Sequence, residues 1–576
     1  MYSGNRLIEL LEKQHETRSQ QSEKYKGLFK KGTFTIQWRA KVGYFPHPDA
    51  ETIVSAGEPC GAWKITNGRP EDKRNVGDNL KLLPVLPLNG YIPGSSIRGL
   101  VRSWAKQRPE IKPRMLEILG FQDNENITPG KIEFLDAWPE NATKLTLDIV
   151  NPQEPFQVYH QDQSKPLSFY TLGNGEKPIN LTVAIRGIPG KVTEAEVDEV
   201  WGWVQQALSL YGVGSRTASG YGAIKSSTSL KIDTDPEYSV KQFDFRLFSQ
   251  GCYGAIANPG NEELRPSHWR GWLRSWTLRF LLGVMSEDDA EITLGELFGT
   301  LESKDDKKSR KGLVRLKIIQ DEKDEKWGDP STNKPDFYHW KGKLQISAPE
   351  DIQEKIILPI IKFAASLGGV GRGWRRPLHI FSMKITDKKT KETRQKPAPR
   401  GTHLILTHRI DSEPKRFAFP PDSETWKKAY KAWQKAVKSK WPERFTLDNN
   451  DLRAEVFSPE TCAVYLVPGP KKEPVDHENN KWNVTNPSDT RGEGMKLIYQ
   501  PTYKGKPHVG GDAAGGSNAH CSWVSIKRIP VKQEGTKEIV CLFMGETNNL
   551  RSQFLNDLSE IPGAVHLFGV QPPTQQ

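Results

Sequence analysis

Cysteine is scarce in this chain. Five are spread over 576 residues (Cys60, Cys252, Cys462, Cys521 and Cys541), with no C-x-x-C pair among them. That argues against a disulfide framework and against a four-thiolate zinc site, and it fits a reducing cytosol. Long apolar runs are missing as well. Nothing reaches the ~18 consecutive apolar residues of a membrane-spanning helix. The opening stretch MYSGNRLIELLEKQHETRSQQSEKYKG has no signal-peptide core and reads as an exposed polar helix or extension over 1–27. Positive charge, by contrast, is in excess. Lys and Arg number 82 against 70 Asp and Glu, a net charge of +12. A polyanionic partner suits that balance, nucleic acid first among them, although a merely basic surface gives the same total. Length and a mean hydropathy of -0.64 fit a soluble chain of about three or four domains.

The chain repeats itself. PGSSIRGLVRSW at 93–104 and RPSHWRGWLRSW at 265–276 agree at six of twelve positions, at an offset of 172. Each anchor follows an alternating strand, TFTIQW at 33–38 and FDFRLF at 243–248. Each precedes a short apolar turn and a glycine-led strand: EILGF then GKIEFLDA, and ELFGT then GLVRLKI. Each unit ends in a glycine-rich loop, LYGVGSRTASGYGAI at 210–224 and LGGVGRGWRRPLHI at 367–380. Four features in one order indicate a duplication, with copies at 28–235 and 240–386. The order strand, helix, strand or hairpin, helix, strand predicts an α+β fold of two tandem ferredoxin-like domains. Helices are expected at 96–107, 193–210, 267–282 and 350–366. Residues 387–401, charged and proline-containing, read as a linker. Residues 402–576 form a C-terminal extension or a degenerate third unit. There one amphipathic helix is clear, with Asp422 or Ser423 as cap, Trp426, Tyr430, Trp433 and Val437 on one face, and Lys427, Lys428, Lys431, Lys435 and Lys438 around the rest.

The repeated features suit phosphate. Ser95 or Ser96 can cap the first anchor helix, and Ser267 falls at the start of the second. A helix start offers free N–H groups and a partial positive charge. Arg98 and Arg102 share a face, as do Arg270 and Arg274, and arginine can grip a phosphate with two hydrogen bonds. The competing reading is a capped helix with solvated arginines. In the loops, Gly212, Gly214, Gly369 and Gly371 allow a ligand close to the backbone, and Arg216, Arg372, Arg375 and Arg376 follow them. GVGRGWRR adds an indole that could stack. An ordinary tight turn beside a basic edge is the alternative. In HVGGDAAGGSNAHC, His508, Asp512, His520 and Cys521 match no standard zinc spacing, and the segment reads as a glycine-rich loop. His47 and Asp49 in PHPDAE are judged the same way.

The pairing of IPGSSIRGLVR with GVGSR…GYG resembles the RAMP superfamily, the repeat-associated subunits of CRISPR type III effector complexes. RPSHWRGWLRSW with GGVGRGWRRP is similar to its more divergent members. The resemblance covers roughly 28–386 and implies modified RRM-like ferredoxin domains. It implies a subunit that stacks along a guide RNA through phosphate contacts, beside target RNA and other effector subunits including the large subunit, in the cytoplasm and away from membranes. Two such units in one chain resemble the fusions of some type III-D systems.

Catalytic backbone subunits carry an aspartate in the loop before the PGSS motif. By resemblance that residue is Asp78, fifteen residues before Pro93. Attack of a ribose 2'-hydroxyl on the adjacent phosphate needs in-line geometry and stabilised charge. The carboxylate could orient the reacting group or hold a divalent cation such as Mg²⁺, with Lys73, Arg74 and Lys81 close in sequence. The second copy has only 24 residues from Phe243 to Ser267, against 61 from Phe34 to Ser95, and its only acids between Gly251 and Arg265 are Glu262 and Glu263. It is expected to bind RNA without cutting. Two other readings stay open: a purely architectural subunit, and a standalone guide-processing endoribonuclease, which lacks the PGSS anchor.

Overall fold

A computed structural model describes residues 4–41, 44–47, 52–55, 63–66, 69–72, 91–123, 126–141, 145–150, 154–161, 167–175, 177–225, 235, 237–251, 263–300, 311–321, 325–329, 334–386, 392–410, 413–447, 454–512, 519–531, 535–546 and 548–573. Two compact units are present. The first holds residues 1–151, 166–238 and 253–267, and the second holds 152–165, 239–252 and 268–576.

In the first unit the polar N-terminal segment is the helix Gly4–Gln21. A sheet then forms in the order Ile224–Lys225, Phe29–Ile36, Ile179–Gly187, Ile132–Phe134. Its pairings are antiparallel, with Phe34 opposite Leu181 and Ile36 opposite Ile179. Helix Gly94–Ala105 connects the first and second strands in chain order, and helix Glu194–Tyr211 connects the third and fourth. Strands in the spatial order fourth, first, third, second make a split βαβ arrangement. The helices pair because each has one apolar stripe. Ile97, Val101, Trp104 and Ala105 of one meet the core that Val197, Val200, Val204, Ala207 and Leu208 of the other help to fill. Burying a large aliphatic or aromatic side chain contributes about 1.5–3 kcal/mol. Thr193 and Glu196 close a capping box at the second helix's start.

The second unit repeats the path with one change. Its sheet runs Arg315–Gln320, Lys334–Pro349, Tyr238–Ser249, Thr402–Ile410, Glu413–Arg416. The place beside the first strand is taken by Thr402–Ile410, beyond the expected end of the copy at 386, with Leu247 opposite Leu404. Strand His379–Thr386 pairs instead with Thr393–Arg400. The expected linker therefore contains a strand, and the second copy extends past residue 386. TRQKPAPR hid this because an exposed strand in a two-stranded ribbon tolerates proline and needs no apolar alternation.

Within the second unit, the C-terminal residues form a further four-stranded sheet with the same strand order. Cys462–Pro468, Val524–Val531, Gly535–Phe543 and Val565–Gly569 are its four strands in chain order. Their spatial order is second, third, first, fourth, again antiparallel. Helix Glu493–Ile498 lies between the first two strands and Asn549–Ser559 between the last two. Among the described residues Cys462, Cys521 and Cys541 are buried free thiols, and no helix is long and apolar enough to cross a membrane.

Candidate RNA-binding surface

The first anchor helix begins at Gly94, with Pro93 as its N-cap and no side-chain cap. Ser95 and Ser96 thus lie inside the first turn and do not cap it, which corrects the sequence expectation. Ser95 is exposed and Ser96 half-buried. The Gly94 N–H already donates to Asp136 Oδ1 at 2.9 Å. A carboxylate thus occupies part of the positive helix end that a phosphate would use.

Arg98 and Arg102 are also committed. Arg98 Nη2 donates to the carbonyl of Leu119, and Arg102 Nη1 donates to the carbonyls of Leu119 and Gly120. Leu119 ends the helix Lys112–Leu119, whose last carbonyls have no partner within the helix. The second copy repeats the contact. Arg270 Nη2 donates to the carbonyl of Phe298, the last residue of helix Glu287–Phe298. Gly120 and Gly299, with φ of 75° and 85°, follow those helix ends. Gly130 and Gly312 press on the same ends: an added Cβ would meet Leu119 O at 2.9 Å and Phe298 C at 2.4 Å. Arg274 departs from the pattern and pairs with Glu154 at 2.9 Å. Burial, then Arg98, lowers the Arg102 pKa, while burial, then Arg274, takes Arg270 down to about 10.

The first glycine loop keeps a displayed basic edge. Gly212 ends its helix at φ 72°, and a Cβ there would meet Gly222 O at 2.5 Å. Gly214 and Ser215 are exposed. Arg216 holds φ at 58°, a left-handed conformation rare outside glycine. Its guanidinium lies 5.2 Å from the Phe169 ring centre, and Lys41 Nζ lies 4.8 Å from the same ring. Lys41 had no signal in the sequence. It is placed here because its carbonyl accepts from Ser215 N at 2.7 Å.

The second loop is mostly structural. A Cβ on Gly369 would lie 1.7 Å from Thr402 Oγ1, and one on Gly371 would lie 3.2 Å from His268 Nδ1. The loop therefore closes on the start of the helix Pro266–Leu281, where Ser267 is half-buried. Arg372 is exposed. Arg375 is not: it pairs with Glu455 at 2.8 Å and donates to Gln157 O at 3.2 Å. Arg376 donates to Ser522 Oγ at 2.8 Å and Gly510 O at 3.3 Å. Trp374 is buried against Trp276. Arg375, Arg376 and the indole serve the core, which corrects their reading as a gripping and stacking set.

Two buried charge clusters escaped sequence reading. In the first unit Arg265 meets Asp148 at 2.9 Å, Tyr221 donates to Asp148 at 2.6 Å, and Glu263 accepts from Trp38 at 2.6 Å and Arg39 at 3.1 Å. Glu263 is thus a structural acid. In the second unit Glu455 accepts from Arg279, Arg375 and His160. Asp78, Lys73, Arg74, Lys81, Asp49 and Glu262 lie outside the described residues, as does the side chain of His47. Among the described residues no group of three His, Cys, Asp or Glu could hold a metal ion, and Asp512 bridges to His520 through backbone.

A family model described as the RAMP superfamily matches residues 76–225. That stretch includes the first anchor helix and the first glycine loop. No curated protein matches the chain. Among solved structures it is similar to Cmr1 from Pyrococcus furiosus in its apo form, at 13% identity and a TM-score of 0.30, over 57% of this chain and 99% of that one. It is similar to Cmr6 from Pyrococcus furiosus at 20% identity and a TM-score of 0.20, over 34% and 97%. A chain of the type III-B Cmr-beta complex bound to cognate target RNA aligns at 15% identity and a TM-score of 0.25. There the alignment spans 39% of this chain and 66%, just under two thirds, of that one.

Proposed function

We propose that this chain is a backbone subunit of a CRISPR type III effector complex and binds guide RNA through its phosphates. The observation that carries the reading is the RAMP match over 76–225. Within it, Ser95 is exposed, and the loop Gly214–Arg216 remains exposed or half-buried beside Lys41. Contacts of that kind position a strand without reading bases. In the second copy the equivalent contacts fall to Ser267 and Arg372. The partners are guide RNA, paired target RNA and other effector subunits, the large subunit among them.

Asp78 is the proposed cleavage residue for target RNA, with a divalent cation such as Mg²⁺. That cation would supply charge stabilisation at the phosphate, and Asp78 would orient the reacting hydroxyl or hold the ion. The chain then has at most one cutting site, because the second copy has no full counterpart to the Asp78 loop. The architectural reading draws support from Arg98, Arg102, Arg270, Arg375 and Arg376, which serve the fold. Purifying the assembled complex and sequencing its RNA tests the first proposal: guide RNA is expected, and a complex without it ends the reading. Asp78→Ala tests the second. Loss of one target fragment with unchanged assembly is expected, whereas an unchanged fragment pattern makes the subunit architectural.

A further inference from the structure

The helix Ser423–Lys440 lies outside the RAMP-matched segment and outside both glycine loops. Asp422 caps it, accepting from Thr425 N at 2.8 Å. Its rotation is fixed, because Tyr430 packs on Phe568 at 5.3 Å and Trp433 on Phe280 at 4.9 Å. The other side carries Lys427, Lys428, Lys431, Lys435, Lys438 and Lys440, all exposed. Lys427, Lys431, Lys435 and Lys438 recur at i, i+4, i+8 and i+11. At ~1.5 Å rise per residue they form one stripe about 16 Å long. Glu424 is the only acid in the helix. Among the described residues, Lys440 alone of the six has an ion pair, with Asp351 at 2.8 Å.

Helix stability does not account for this stripe. Like charges at i, i+4 oppose the helix. Lys427 and Lys428 also sit in its N-terminal half, where the macrodipole favours acids. A rigid, unneutralised row of ammonium groups is what a phosphodiester strand neutralises, with release of counterions. We propose that this helix is a second RNA-binding surface, gripping a single strand by its phosphates. An acidic protein fits less well. Protein interfaces centre on buried aromatic or aliphatic anchors, and the stripe displays none, since its aromatic residues are buried.

The inference shares with the proposed function only the premise that the chain meets RNA. The test uses the full chain and a labelled mixed-sequence single-stranded RNA, with affinity measured against salt. Three proteins are compared: wild type, K427Q/K431Q/K435Q, and R216Q/R372Q. Glutamine keeps helix propensity while removing charge. The triple variant is expected to keep its circular dichroism and to lower the log–log salt slope by about 2, at ~0.7 per phosphate contact. If its slope and affinity match wild type while R216Q/R372Q weakens binding, the helix inference falls and the proposed function stands. The reverse pattern keeps the helix and removes the loops. Unchanged RNA binding with lost assembly assigns the stripe to an acidic protein and overturns the inference.

Discussion

The guanidinium of Arg98 donates to the carbonyl of Leu119, and Arg270 does the same to Phe298. The acceptor in each copy is the last residue of the next helix. The duplicated S-x-x-R-G motif is thus first a folding device. It places a permanent cation on the negative end of a neighbouring helix, where a positive-φ glycine turns the chain away. Fewer of the motif's groups are left to meet a phosphate than the sequence suggested.

Arg98→Ala and Arg270→Ala are therefore expected to cost about 1.5–3 kcal/mol each, the range for a hydrogen bond from a charged donor. Urea unfolding of the purified chain measures it. Unaltered midpoints would mean that the two carbonyls find other partners at no cost.

The glycines divide into two classes with opposite signs. Gly99 and Gly271 are exposed within helices, and an added Cβ at either meets nothing within 4 Å. Gly99→Ala and Gly271→Ala should stabilise the isolated chain by about 0.5–1 kcal/mol. Gly212→Ala, at a φ only glycine adopts readily, and Gly369→Ala, against Thr402, should each cost about 1–3 kcal/mol. Melting temperatures of the four variants separate the classes, and equal shifts would contradict this division.

What the sequence carried was periodic or repeated. The anchor helices begin within two residues of their expected starts because serine, proline and a 3.6-residue apolar stripe all mark them. The strand swap at Thr402–Ile410 was hidden by the hairpin inserted before it. The C-terminal sheet was hidden because CAVYLVP is buried on both faces and reads as a continuous apolar run with no alternation. The site was harder still. Asp136 reaches Gly94 from 42 residues away and Asp148 reaches Arg265 from 117. Spacing shows that two arginines share a face, but not that a carbonyl from the next helix is already waiting for them.

Arg372 and Arg376 are four residues apart and should respond differently. Arg372 is exposed, whereas Arg376 donates to Ser522 and Gly510. Arg372→Gln is expected to leave stability within about 0.5 kcal/mol of wild type and to lower the salt slope of RNA binding by about 0.7. Arg376→Gln should instead lower the unfolding midpoint. A stable Arg376→Gln protein with selectively weakened RNA binding would restore the gripping role rejected for that residue.

Glu455 sets a limit on acid stability. It is fully buried and accepts from Arg279 Nε at 2.8 Å and His160 Nε2 at 3.0 Å, while Arg375 Nη1 lies 2.8 Å away. Burial alone would raise its pKa, but Arg375 and Arg279, then His160, outweigh burial and hold it at about 2, against an ordinary 4.5. A carboxyl depressed on folding contributes stability that is complete above the unfolded value. That stability drains as pH falls from about 4.5 through about 2. The loss over that window should be about 3 kcal/mol, from 1.36 kcal/mol per pKa unit. Glu455→Gln should remove this dependence and cost about 3–5 kcal/mol at neutral pH, because two buried guanidinium groups lose their counter-charge. Urea midpoints across pH 2–5 test both statements. A variant as stable as wild type, with the same acid slope, would show that the Arg279–Glu455–Arg375 cluster does not hold this unit together.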